Sequence, residues 1–165
     1  MDINDLYQGS KNATDTGFAP NLGHEELPEG VPVLVEAVYT KAGLNPAEQL
    51  KLTVKFKVIE DGHPHQGGEF FDSPSFSVGE SEGQKSYNKR LFSKLEGAGL
   101  GESFFATSPS YDAIATAVKG TKLVFTPRWQ EPKKNQKTGE MQVWLDNTST
   151  WAPAPGSGGV SSTGF

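Results

Sequence analysis

Between Gln49 and Asp61 the chain reads QLKLTVKFKVIED, in which Leu50, Leu52, Val54, Phe56 and Val58 alternate with Lys51, Thr53, Lys55 and Lys57. A period of two sends successive side chains to opposite faces of a strand. One face is therefore wholly apolar, and the other carries lysines with a threonine among them. Burying each apolar side chain is worth roughly 1.5–3 kcal/mol before entropy is charged against it. A slip of one residue would carry the lysines into the core, so the register is fixed. What stays outside is a short row of positive charge on a rigid support. Such a row is either a solvated sheet face or a track for a polyanion.

Around this strand the sequence predicts one domain with two tails. Residues 1–29 are polar and without sustained period, which predicts an acidic arm, flexible or loosely docked. A first strand is expected over Val31 to Lys41, after the turn Pro28-Glu29-Gly30, and it forms a hairpin with the lysine strand. Glu69–Val78 reads as a third strand, broken or bulged near Ser73-Pro74, because proline cannot donate to a central ladder. One of Phe70 and Phe71 must face away from the core or lie under a helix. The period then changes. Tyr87, Leu91, Leu95 and Ala98, with Phe92 beside them, predict an amphipathic helix over about 84–98, with Lys85, Lys89, Arg90 and Lys94 on its wetter sides. Ser108 as N-cap, Pro109 at N1 and Gly120 at C′ punctuate a second helix, with Tyr111, Ile114, Ala115 and Val118 buried.

Two final strands are expected. In Thr121–Trp129, Leu123, Phe125 and Trp129 point inward. In Glu140–Asp146, Met141, Val143 and Leu145 point inward and Trp144 outward. The polar, lysine-rich run 130–139 makes the hairpin between them. From 148 onward the chain is rich in Pro, Gly and Ser, and is expected to be a disordered tail. The fold class is thus mainly β: a five-stranded OB-like barrel over residues 30–147, with a helical insertion between strands 3 and 4. A curved sheet or open sandwich is the competing architecture.

Charge and motif narrow the function. Residues 1–30 hold Asp2, Asp5, Asp15, Glu25, Glu26 and Glu29 against Lys11 alone, which accounts for the whole net charge of −5. Lys119, Lys122, Arg128, Lys133, Lys134 and Lys137 oppose only Glu131, whereas residues 60–82 hold acids and no Lys or Arg. Binding follows a local patch within roughly 8 Å at physiological salt more than the net sum, so overall acidity does not exclude nucleic acid. There is no cysteine, no stretch long enough to span a membrane and no export signal, which reads as a soluble, cytoplasmic protein. His63-Pro64-His65 followed by Glu69 lacks the downstream histidine a metal site would want. No serine has a plausible base, and no phosphate-cradling loop appears. No catalytic residue, cofactor or metal is expected, and the protein reads as a non-enzyme.

The stronger constellation joins cations to aromatic rings on a sheet. Lys51, Lys55 and Lys57 project from the second strand, Arg128 and Trp144 from the last two, and Lys133, Lys134 and Lys137 from their hairpin. Phe71 and Trp129 are further candidates. Cations follow phosphates while rings stack bases at roughly 1–3 kcal/mol each. The succession PEGVPVLVEAVYTKAG, LKLTVKFKVIEDGHPHQGGEFFD, KRLFSKLEGAGL and VKGTKLVFTPRWQEPKKNQKTGEMQVWL resembles a family of phage-encoded single-stranded DNA-binding proteins, over about residues 28–147. The resemblance implies an OB-fold that protects single-stranded DNA in replication or recombination, in the host cytoplasm. It also implies contact with replication or recombination proteins through a tail ending in an aromatic, here Phe165, although GVSSTGF lacks the acids of that pattern. RNA binding and homo-oligomerisation are compatible with the same residues. The alternative is a structural or protein-interaction β-module, such as a virion component.

Overall fold

The computed structural model describes residues 2–11, 21–46, 48–76 and 81–155. Its elements are α1 (Ile3–Lys11), β1 (Val33–Leu44), β2 (Leu50–Val58), β3 (Glu69–Asp72), α2 (Glu82–Gly97), α3 (Glu102–Phe105), α4 (Tyr111–Val118), β4 (Lys122–Thr126), β5 (Lys133–Lys134), β6 (Met141–Gln142) and β7 (Thr150–Pro153). Five strands form one antiparallel sheet in the order β3-β2-β1-β4-β7, and β5 and β6 form a separate two-stranded ribbon.

The alternating stretch is β2, and every one of its five apolar side chains is buried. β1 pairs with it from Val35↔Val58 to Leu44↔Leu50, across an irregularity between Ala37 and Tyr39. A residue inserted into one strand of a pair reverses the facing of everything after it. Before the bulge Val33, Val35 and Ala37 point inward. After it Thr40 does, its hydroxyl donating to the carbonyl of Ala115 at 2.6 Å. Tyr39, on the same parity as Val33, Val35 and Ala37, therefore stands outside. The bulge falls where the pairing of β1 with β4 ends, while its pairing with β2 continues: the N–H of Ala37 donates to Thr121 O and its carbonyl accepts from Gly120 N. Gly120 takes φ +86° there, in the left-handed region that suits glycine at a helix C′ position.

The sheet is rolled. Laid flat, β3 and β4 would stand three strand spacings apart, about 14 Å. The rings of Phe70 and Phe125 nevertheless meet at 4.9 Å, and Phe56 touches both Phe70 and Phe125. The two edge strands, β3 and β7, would lie about 19 Å apart when flat. Instead Trp151 Nε1 donates to Asp72 Oδ2 at 2.9 Å. Lys94 of α2 reaches the same carboxylate oxygen at 2.9 Å and lies over the Trp151 ring, 5.8 Å from its centroid. Helix α2 thus lies along the seam between the edges. Its approach to β7 is so close that a Cβ on Gly97 would fall 2.0 Å from the carbonyl oxygen of Trp151.

Several expectations are corrected. The fifth strand of the sheet is not 140–146 but Thr150–Pro153, within the stretch expected to be a disordered tail. Trp151 is 4% exposed and packs edge-on against Phe56 at 5.1 Å. Pro153 is tolerated because β7 is an edge strand. Of the expected strand 140–146 only Met141–Gln142 is a strand, in the separate ribbon; Met141 is exposed, whereas Leu145 packs against the core as expected. The boundary at residue 29 is also too late. Leu27 is buried in the core, Leu22 N donates to Glu69 O, and Gly30 N donates to Pro127 O, so 21–30 is strapped across the fold. Lys94, expected on a wet side of its helix, is 2% exposed. Tyr111 is exposed rather than buried. Ser110, not Ser108, caps α4 by accepting from Ala113 N. The break at Pro74 is as expected: β3 ends at Asp72, and Leu52 N then bonds to the Pro74 carbonyl. Helix α2 begins with a reciprocal cap between Ser81 and Gln84. Expectations for 156–165, Phe165 included, lie outside the described residues.

Candidate nucleic-acid interface

Past β4 the chain leaves the sheet as a long hairpin. Asp146 N bonds to Arg128 O, Trp129 bridges Leu145, and Gln130 N bonds to Trp144 O. The arms pair again at Lys133↔Gln142 and Lys134↔Met141. The tip is tied by Asn135, whose Oδ1 accepts from the N–H groups of Lys137 and Thr138, and turns through Gly139 at φ +75°. At the base, Asp146 accepts from both the hydroxyl and the N–H of Thr148. The Thr148 hydroxyl, aided by the charge of Arg90, holds the Asp146 carboxyl below its ordinary value of 3.8.

This hairpin, β3 and the strap 21–23 enclose an open groove of about 640 Å³. Its wall includes Phe71, Trp129, Trp144, Tyr87 and Lys51. Trp144 is 55% exposed and Phe71 38% exposed. Phe70, by contrast, is in the core, which settles which of the two neighbouring phenylalanines faces out. Trp129 is half-buried against the core, as its parity implies, and is fixed by Nε1 donating to Leu27 O at 2.8 Å. It is thereby anchored in the wall of the groove.

The groove opens onto the outer face of β1, β2 and β3. In-register pairing places Tyr39, Lys55 and Phe71 in one row across the three strands. Tyr39 is 43% exposed, and Lys55 Nζ lies 5.4 Å from the Phe71 ring centroid. Lys55 also stands 3.6 Å from Glu69 Oε1. A pair this exposed contributes roughly 0–1 kcal/mol, so a phosphate can compete for the amine. Lys57 is different. Its register partners are Glu36 on one side and Glu69 on the other, and this end of the lysine row meets carboxylates in register on both sides.

The predicted residues therefore divide. Lys51, Phe71, Trp129 and Trp144 share the groove, and Lys55 lies on the face beside it. Lys133, Lys134 and Lys137 are exposed on the ribbon beyond it. Gln142, the partner of Lys133, is two residues from Trp144, about 7 Å along a strand. Arg128 is not brought to the groove; its guanidinium lies against Gly30. Tyr39 and Tyr87 were missed as site residues. The first was hidden by the bulge. The second sits on the first turns of α2, in a helical period that sequence alone assigns to the core.

Among the described residues no group of His, Asp and Glu could hold a metal ion, and no helix is long and apolar enough to cross a membrane. Compared with models of known protein families and with curated proteins, the chain matches none.

Proposed function

We propose that this protein binds single-stranded nucleic acid, DNA in the first instance, through base stacking in the groove and phosphate contacts around it, and that it carries out no catalysis. The observation that carries this reading is the groove itself, lined by Phe71, Trp129, Trp144 and Tyr87 together with Lys51, beside the Tyr39–Lys55–Phe71 row. Rings supply sequence-tolerant stacking and lysines supply backbone attraction, the combination that single strands require.

The topology supports an OB-type barrel as the finer description. The first strand is shared between the second and fourth, helices intervene between the third and fourth, and the rolled sheet's edges are joined through Asp72, Trp151 and Lys94. In such barrels the face of strands 2 and 3 and the loop before the last strand take oligonucleotides. Here those are the β2–β3 face and the 127–149 hairpin. A phage-type role in protecting single strands during replication or recombination follows as a proposal from the resemblance over 28–147.

The test is a titration with dT oligonucleotides, read by tryptophan emission. Quenching is expected, with affinity falling with salt at a slope of roughly −0.7 per phosphate contacted. Trp144→Ala is expected to weaken binding about 10- to 100-fold, as loss of one stacked base implies, with the melting temperature unchanged. Absence of quenching and of a mobility shift at low salt would favour a structural or protein-interaction module instead.

A further inference from the structure

A second concavity, of about 350 Å³, lies between α2 and the start of β7. Its rim carries Ser86, Lys89, Arg90 and Ser93 from the helix and Thr150 from the strand, and its floor is the buried Lys94 and Trp151. No carboxylate lines it. Asp72, which neutralises Lys94, opens to the other groove. Ser86, Lys89, Arg90 and Ser93 are spaced three, four and seven residues apart, so they share one side of the helix. Among the described residues neither Lys89 nor Arg90 stands in an ion pair, although the charge of Arg90 is felt by Asp146 at the base of the hairpin. Hydroxyls interspersed with an ammonium and a guanidinium are the donor set that a tetrahedral oxyanion takes, through charge-assisted hydrogen bonds.

The notch is next to the groove. Arg90 Nη1 donates to Asn147 Oδ1 at 3.4 Å, and Asn147 also lines the aromatic groove. One residue pair therefore separates a stacking surface without excess charge from a cationic pocket without free rings.

We propose that this notch is a phosphate subsite for the backbone of the strand whose bases lie in the groove, with Lys89 and Arg90 as its cations and the hydroxyls of Ser86, Ser93 and Thr150 as its neutral donors. It rests on the nucleic-acid reading given above and adds a path for the strand: along the groove, past Asn147, and over the α2–β7 seam. Neither cation packs in the core, so both can be changed without opening a cavity.

The experiment compares the full chain with its K89Q/R90Q variant in dT-oligonucleotide titrations at several salt concentrations. Losing the phosphate contact of this subsite is expected to flatten the salt slope by about 0.7 and to lower low-salt affinity about 10-fold or more. Quenching at saturation and melting temperature are expected to stay unchanged. Ser93→Glu, which places a carboxylate in the notch, is expected to weaken binding in the same direction. An unaltered slope in K89Q/R90Q, with Ser93→Glu binding like the parent, overturns the subsite and leaves the groove standing. An unmodified chain that neither quenches nor shifts overturns the groove and the subsite together.

Discussion

Lys94 is the residue on which the seam turns. Its amine and the Trp151 indole both satisfy one oxygen of Asp72, and both side chains are nearly inaccessible. Removing one partner of a buried pair leaves the other charged and unpaired, at about 3–5 kcal/mol, whereas replacing both by apolar groups is often neutral. Lys94→Ala is therefore expected to lower the melting temperature by roughly 10 °C. A Lys94→Met, Asp72→Leu double variant should recover much of that loss even though it also abandons the indole's acceptor. Thermal melts of the two singles and the double would decide. Additive losses in the double would mean that the pair contributes as independent surface charges. The sequence marked Lys94 only as one of four cations on an amphipathic helix. Its burial depends on an aspartate and a tryptophan from strands far apart in the chain, which helical period cannot reveal.

At the scale of elements, β2 was legible in full. Five apolar side chains on one parity left no other register, and α2, the break at Pro74 and the glycine after α4 carry equally local signals. Elements governed by a partner were not legible. The β1 bulge inverts Tyr39 and Lys41 without any marker in VEAVYTK, because it lies where the pairing with β4 stops while the pairing with β2 runs on. β7 was hidden by composition. APAPGSGG looks like a linker, and the strand at its head depends on one aromatic anchor, Trp151. The candidate site divides the same way: the lysines and Trp144 were readable from parity, Lys57 was not known to sit between two glutamates, and the aromatic row needed the bulge. The β5–β6 hairpin offers a prediction at this scale. Lys133, Lys134 and Lys137 are all exposed and lie outside the core. Changing all three to Glu is expected to weaken oligonucleotide binding at least 10-fold, while the melting temperature moves by no more than a degree or two. Equal affinity would remove the hairpin tip from the interface.

For the molecule as a whole, the rolled sheet makes the last strand indispensable. A chain ending after Asn147 keeps the four other strands of the sheet and the helices, yet loses Trp151, the cover over Phe56 and the indole N–H that donates to Asp72. Deleting a buried tryptophan alone costs about 3–5 kcal/mol, and β7 carries its strand pairing as well. That truncation is expected to abolish cooperative melting, whereas one ending after Pro155 keeps every described core contact and should melt like the parent. A cooperative transition in the shorter form, followed by circular dichroism, would show that the edges hold without β7. Trp151 has a temporal consequence too. Everything it covers is made well before it: Phe56, Asp72 and Lys94 leave the ribosome tens of residues earlier. Until β7 emerges, the nascent chain carries an open aromatic flank and an ion pair without its lid, so this sheet can close only after Trp151 has left the ribosome.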